Sequence, residues 1–289
     1  MPKRAVFAAS FSLLHPRLLR GCPIFITFAA MKPLILITND DSIEAPGLHK
    51  LVEIASEFAD IIGVAPLHPQ SGMSSAISVD RPLRISEVAD YKNARMFTVN
   101  GTPVDCVKLA LNAIVPRRPA LVLSGINHGS NSGNAITYSG TMGAVLEACT
   151  NGIPAVGFSL CHHSIKADFN LSAPFVREII QRVMAEGLPD YSALNVNIPP
   201  RIVPKGMRVC RAARGHWSEE FARYTDPMGT PFYWLTGRFI NEEPDATDTD
   251  EYYLSQGYIS VVPCTPEQTD MALLSRLTAT SGPATEAAE

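Results

Sequence analysis

The sequence predicts an α/β protein with a three-layer, doubly wound and mostly parallel sheet, a Rossmann-like core. The first observation is a set of short apolar segments without polar alternation, at residues 34–38, 61–66, 121–125 and 154–159. Such segments are typical of strands that are buried on both faces of a parallel sheet. The second is a set of stretches with helical spacing, at residues 46–58, 103–114 and about 140–151. Their alternation with the strands implies right-handed crossovers.

The elements follow in order from the segment LILIT at 34–38, which predicts the first strand. Pro46 is suited to the first turn of the next helix, whose apolar residues recur on one face through Phe58. Two further strand and helix pairs then lead to the apolar segment at 154–159. The first half of the chain therefore predicts four strands of one sheet.

The pattern loosens after residue 160. A helix is predicted at 173–186, and strands are predicted at 193–199 and 257–263. Residues 200–245 are rich in Arg, Pro, Gly and aromatic residues, which favours β-hairpins and long loops in a C-terminal arm. The aromatic run 232–234 could stack on a base, but we expect it to pack against its own protein.

The chain is predicted to contain a single domain at residues 31–270. Residues 1–30 are expected to be a disordered or wrongly assigned extension, with Met31 as the natural start. A secretory signal is the alternative, but the segment His15-Pro16-Arg17 interrupts its apolar region. Residues 271–289 are expected to form a C-terminal tail that is small and polar after about residue 280.

Composition excludes some classes of partner. The formal net charge is −4 and there is no long run of Lys or Arg, so neither a nucleic acid duplex nor a membrane is expected as a partner. The six cysteines are scattered without a C-x-x-C spacing. This favours a reducing compartment and predicts a cytoplasmic protein without disulfides or a zinc site.

Asp40 and Asp41 are neighbours directly after the first strand. Ligands bind at the carboxyl ends of the strands in open parallel sheets, where Ser71 and Asn127 also follow strands. Two adjacent carboxylates repel each other unless a positive charge compensates. Carboxylate, hydroxyl and amide oxygens suit Mg²⁺ or Mn²⁺, so we predict one divalent metal cation per subunit. The alternative is an aspartate that caps the next helix beside a solvated neighbour.

Two loops are candidates for binding phosphate. The glycine-rich segment 125–133 does not have the dinucleotide or Walker spacing, but its small amides and hydroxyls could hold a phosphate. The second loop opens the helix at about 140, where the helix dipole favours an anion, although a simple N-cap by Ser139 or Thr141 is the alternative. The predicted phosphate-binding residues are Asn39, Gly72, Asn131, Ser139, Gly140 and Thr141. His128 is expected to be part of the loop structure or to lie behind the metal ligands.

Together these segments resemble the SurE family of survival-protein nucleotidases. The resemblance rests on segments 37–42, 66–78, 100–111, 124–133, 138–148 and 249–263. It implies hydrolysis of nucleoside 5′- and 3′-monophosphates, with short polyphosphate as a further substrate. It also implies that Asp40, Asp41, Ser71 and Asn127 are the metal ligands, and that the chain forms a homodimer or homotetramer.

The predicted mechanism is attack by a metal-activated water on the phosphate, with Asp40 and Asp41 as the catalytic residues. The sequence does not decide which carboxylate acts as base. A phosphatase of the haloacid dehalogenase type is disfavoured because Ser42 stands where D-x-D needs its second acid. A receiver-like or nucleotide-binding module without enzymatic activity is the rival from another class. It is disfavoured because Ser124 to Asn127 occupy the place of the phosphoacceptor aspartate.

Overall fold

The computed structural model describes residues 31–164 and 166–280 of the 289-residue chain. The expectations for residues 1–30 and 281–289 lie outside the described residues. The strands are β1 (Leu34–Thr38), β2 (Asp60–Pro66), β3 (Ile85–Tyr91), β4 (Ala94–Val99), β5 (Leu121–His128), β6 (Ala155–Leu160), β7 (Ala193–Ile198), β8 (Met207–Val209), β9 (Gly215–Ser218), β10 (Phe221–Thr225), β11 (Pro231–Leu235), β12 (Arg238–Asn241) and β13 (Ile259–Cys264). The helices are α1 (Pro46–Ala55), α2 (Pro103–Leu109), α3 (Gly140–Thr150), α4 (Ala173–Glu186), α5 (Asp250–Ser255) and α6 (Met271–Thr280).

A nine-stranded sheet forms the centre, in the order β3-β4-β2-β1-β5-β6-β7-β13-β8. The run from β4 to β7 is parallel throughout, whereas β3 and β13 are antiparallel to β4 and β7. The predicted fold class is therefore confirmed. The β3–β4 hairpin was not predicted, because the solvent-facing β3 lacks an apolar run.

Strand β1 divides the core into two layers. Ile35 and Ile37 pack with α1 and α4 on one face, and Leu34 and Leu36 pack with α2 and α3 on the other. This follows from the period of two along a strand, which sends successive side chains to opposite faces. All five residues of β1 are buried, so the strand needs apolar side chains on both faces.

The helices begin with local signals that the sequence supplies. Thr102 caps α2 through a reciprocal pair of hydrogen bonds with Asp105, and Pro103 occupies the first turn. Ser139 caps α3 by accepting a hydrogen bond from the Met142 amide at 3.1 Å. The predicted helix at 173–186 matches α4. The helix α6 was not predicted within the expected tail.

Residues 200–245 contain two hairpins, β9–β12 and β10–β11, as the composition predicted. The expectation that the aromatic run packs against its own protein is met by Phe232, which stacks on Tyr224 within the hairpin and is 42% exposed. It is wrong for Tyr233 and Trp234, which are 61% and 66% exposed. A two-stranded hairpin has no second layer to cover it, which explains the exposure.

Gly47 lets α1 approach the carboxyl end of β5. A Cβ atom at this position would lie 2.0 Å from the carbonyl oxygen of Ile126, which belongs to the backbone and cannot rotate away. The contact therefore places the start of α1 directly against the strand that carries Asn127.

No helix among the described residues is long and apolar enough to cross a membrane.

We expect Gly47→Ala to lower the free energy of unfolding by about 1–3 kcal/mol, because the added methyl group must push α1 away from β5. Urea titration followed by circular dichroism measures the change. The control is Gln181→Ala on the exposed face of α4, which should change stability by less than about 0.5 kcal/mol. Equal stability of Gly47→Ala and the control would show that the two elements can separate without cost.

Candidate metal centre

The candidate site lies where β2, β1 and β5 end side by side. Asp40 and Asp41 follow β1, and the loop after β2 is tied to them because the Gln70 amide donates to the Asp40 carbonyl at 2.7 Å. Asn127 is the penultimate residue of β5. The convergence predicted from the strand order is therefore present for these three segments.

Asp40 is buried, with 4% of its surface exposed. The Thr141 hydroxyl donates to its Oδ1 at 2.6 Å. Burial raises the pKa of Asp40 to about 6, a rise that the hydrogen bond from Thr141 opposes and the neighbouring charge of Asp41 reinforces. No ion pair to Asp40 exists within residues 31–164 and 166–280. Its negative charge therefore lacks a compensating cation from the described part of the protein.

Asp41 is less buried and is held by one residue. Its Oδ2 lies 3.0 Å from the main-chain nitrogen of His128, which donates to it, and 3.1 Å from Nδ1 of the same residue. His128 therefore lies behind a predicted ligand, as expected. Neither aspartate caps α1, because the N-cap position belongs to Ala45, which makes no side-chain capping bond. The alternative interpretation of the pair as a helix cap is wrong.

Asn127 is buried, and its orientation depends on an irregularity in β5. Its side-chain Nδ2 donates to the Gly129 carbonyl at 3.0 Å, which leaves Oδ1 as the oxygen available to a ligand. The pairing of β5 with β6 shifts register between Ser124 and Asn127, and Gly125 within this shift has a φ of 120°. Residues with a side chain rarely adopt that backbone conformation, so the position favours glycine.

Ser71 follows Gln70 directly and is exposed in the loop after β2. This loop is pinned on its other side, because the Ser74 hydroxyl donates to the Thr137 carbonyl at 2.6 Å. Gly143 permits the contact, since a Cβ there would lie 2.0 Å from the Ser74 carbonyl oxygen. Ser71 is therefore carried by a loop fixed at both Asp40 and α3.

The structure places the predicted phosphate-binding residues in different surroundings. Gly140 and Thr141 touch the site: a Cβ on Gly140 would lie 2.9 Å from that of Asp40. Ser139 is occupied as the α3 cap, and Gly72 lies in the exposed loop beside Ser71 with a φ of 75°.

Asn39 and Asn131 are buried in other interactions. Asn39 Nδ2 donates to the Ser42 carbonyl at 2.8 Å, while its Oδ1 is buried without a partner. Asn131 Nδ2 donates to Ser159 Oγ at 2.7 Å, and the Asn131 amide donates to Asn197 Oδ1 at 2.8 Å. These contacts anchor the glycine-rich loop to β6 and β7. Phosphate binding by either residue remains a prediction.

Asp250 and Glu251 support the same loop, and the sequence analysis gave them no role. Asp250 is fully buried and accepts hydrogen bonds from the amides of Gly133 and Ala213, both at 2.8 Å. Glu251 accepts from the Ser132 hydroxyl at 2.5 Å. The only signal was an acidic pair at the start of α5, which capping alone also explains.

The residues present fit a hard divalent cation. Two adjacent carboxylates, one of them buried without a cationic partner among the described residues, need positive charge. Oxygen atoms of Asp, Ser and Asn suit Mg²⁺ or Mn²⁺. The described residues contain no cluster of three or more His, Cys, Asp or Glu side chains that could hold a metal.

Comparison with known proteins decides the family. The family profile described as Survival protein SurE matches residues 35–219. The chain belongs to the SurE family. The 5′-nucleotidase SurE of Phocaeicola vulgatus is 45% identical over 246 residues, which cover 85% of this chain and 96% of that protein. The 5′-nucleotidase SurE of Christiangramia forsetii is 50% identical over 237 residues, covering 80% of this chain and 90% of that protein.

A solved SurE structure has the same fold. The crystal structure of the SurE protein from Aquifex aeolicus is 32% identical and aligns with a TM-score of 0.74. It covers 86% of this chain and 99% of that one. The resemblance that the sequence motifs indicated is therefore confirmed.

The raised pKa of Asp40 predicts a stability that falls as pH rises. Between the unfolded value of 3.8 and about 6, the unfolded chain has lost the Asp40 proton while the folded protein keeps it, so the folded state becomes relatively less stable. In EDTA at pH 8, we expect Asp40→Asn to be more stable than the original chain by about 2–3 kcal/mol. Below pH 4 this gain should disappear.

Urea titrations at pH 4 and pH 8 measure the difference. Asp190→Asn, which changes an exposed carboxylate, is the control and should show no such pH-dependent gain. A gain for Asp40→Asn that is the same at both pH values would contradict the assignment of the effect to the buried charge.

Proposed function

We propose that this chain is a divalent-metal-dependent nucleotidase that hydrolyses nucleoside 5′-monophosphates to nucleoside and phosphate. The observation that carries the proposal is the buried Asp40 beside Asp41, without a cationic partner among the described residues. The relatives named 5′-nucleotidase SurE support the reaction, since they align along most of the chain.

Asp40, Asp41, Ser71 and Asn127 would hold the cation. Mg²⁺ or Mn²⁺ bound there supplies positive charge to the phosphoryl oxygens and lowers the pKa of a water molecule. Asp40 is fixed by Thr141, and Asp41 is fixed by His128. Because two of the four ligands are already oriented, little rearrangement is needed before a cation binds.

Phosphate would lie between the ligand loops and the start of α3. Gly140 brings the first turn of α3 against Asp40, and the positive end of the helix dipole favours an anion there. Water attacks phosphorus as the ester bond to the nucleoside breaks, and the proton that the water gives up balances the one that the departing nucleoside oxygen takes up. This reaction depends mainly on position and charge, which rigid backbone contacts provide.

An open cleft beside Asp41 gives space for the nucleoside. It has a volume of about 350 Å³ and is lined by Glu44, Pro46, Pro69 and His163, among others. Asp41, a predicted metal ligand, also lines this cleft. When the phosphate of a substrate is bound at the cation, the nucleoside would therefore contact these side chains.

The proposal extends to 3′-monophosphates and short polyphosphate, which carry the same terminal phosphate group. It also includes a homodimer or homotetramer, supported by the exposed aromatic side chains of the β10–β11 hairpin. A cytoplasmic location is part of the proposal because the five described cysteines are all free thiols.

Phosphate release from a panel of nucleoside 5′- and 3′-monophosphates, with and without EDTA, tests the reaction. We expect release that stops in EDTA and returns with excess Mn²⁺ or Mg²⁺. Asp40→Asn should abolish turnover while it keeps the fold, since it removes a ligand charge. Undiminished hydrolysis in EDTA would refute the metal mechanism, and no release from any nucleotide would refute the enzyme.

Ser71→Ala tests the assignment of the loop after β2. We expect weaker binding of Mn²⁺ by roughly tenfold and a matching fall in activity at limiting metal, because one oxygen ligand is lost. Ser75→Ala is the matched control, an equally exposed serine of the same loop. If both variants bind Mn²⁺ like the original chain, Ser71 does not hold the cation.

A further inference from the structure

His128 is not one of the proposed metal ligands, but it contacts one of them, Asp41, through two groups. It ends β5 directly after Asn127, and its side chain is 12% exposed. The main-chain amide and Nδ1 of His128 both face Oδ2 of Asp41, at 3.0 and 3.1 Å. One residue therefore directs two groups at a single carboxylate oxygen.

The ring of His128 also packs against an aromatic side chain. Phe169, which is buried, packs against it edge to face, with ring centroids 5.1 Å apart and planes at 89°. A ring that contacts both a carboxylate and a buried aromatic side chain has less rotational freedom than an exposed ring. The geometry at Asp41 is therefore imposed by packing and does not depend on a flexible side chain.

The surroundings of the ring also select its tautomer. Nε2 is buried and has no hydrogen-bond partner within the described chain. A proton on Nε2 alone would leave a buried donor unsatisfied and would turn the Nδ1 lone pair towards the carboxylate oxygen. The neutral ring with its proton on Nδ1 donates to Asp41 and leaves Nε2 as an acceptor without a partner among the described residues, so only one of its two nitrogen atoms is unsatisfied.

We propose that His128 is a positioning residue, whose Nδ1–H bond fixes the Asp41 carboxylate so that Oδ1 is presented to a divalent cation. The inference rests on the proposed function. Oδ2 receives both donors from His128, whereas no donor to Oδ1 occurs among the described residues. Without the ring bond, only the main-chain amide would hold the carboxylate, and cation binding would have to restrict its rotation.

A matched pair of variants separates the donor from the packing. Asn and Leu have nearly the same shape, and Nδ2 of Asn is attached to Cγ as Nδ1 of His is. His128→Asn keeps a donor at the required distance from the backbone, and His128→Leu removes it, while both lose the ring against Phe169. Thermal unfolding in EDTA checks that the two variants are folded.

Isothermal titration with Mn²⁺ alone is the primary measurement. We expect the Mn²⁺ dissociation constant of His128→Leu to rise roughly 10- to 100-fold, the usual effect of removing a group that orients a metal ligand. That of His128→Asn should stay within about threefold of the original chain. Turnover of His128→Leu should recover towards the original kcat at high Mn²⁺, because the loss lies in cation affinity.

Each other result overturns the inference. Equal affinity of both variants and the original chain shows that the ring bond has no role, and an equal loss in both variants assigns the effect to packing. Original chain that binds no Mn²⁺ refutes the proposed metal site itself, so the two failures are distinguishable. If His128→Leu does not fold, ¹⁵N spectra of the histidine rings at pH 8 decide, since a ring protonated only on Nε2 excludes the bond to Asp41.

Discussion

The burial of a carboxylate that has no cationic partner is the constraint on which the site depends. Asp40 is almost inaccessible, and the only side chain among the described residues that donates to it is that of Thr141, through its hydroxyl. Hydrogen bonds from neutral groups only partly offset the loss of hydration and the neighbouring charge of Asp41, which is why the pKa of Asp40 is high. The ionised form of Asp40 therefore lowers the stability of the folded protein, and such local costs are typical of functional sites.

Close backbone contacts make this arrangement possible. Gly140 and Gly143 bring α3 against Asp40 and the Ser74 carbonyl, and Gly47 brings α1 against β5. Each glycine stands where a methyl group would collide with a neighbouring atom. The loops after β1 and β2 are therefore held close to α3, and the end of β5 close to α1, by contacts that only glycine permits. The order of the strands alone does not reveal these contacts.

Much of the fold, and the convergence of the segments after β1, β2 and within β5, followed from the sequence, because apolar runs and strand ends carry local signals. The pairing of Asp41 with His128 did not follow, since it joins residues 87 positions apart through the adjacency of β1 and β5. The support of the glycine-rich loop by Asp250 was equally hidden, because a buried carboxylate and a helix cap have the same sequence appearance. The exposed β3 gave no apolar run, so its pairing with β4 was missed.

The two-sided burial of β1 has a consequence for how this protein can change over time. Ile35 and Ile37 serve one core layer, Leu34 and Leu36 serve the other, and Asp40 lies two residues beyond the strand. Inserting or deleting one residue within β1 would exchange the layers and turn the acidic pair to the wrong side. The alternation of side chains along β1 thus sets both the packing of the two core layers and the position of the acidic pair. Point substitutions can change one side chain of this segment at a time, whereas a change in its length disrupts the packing and the site together.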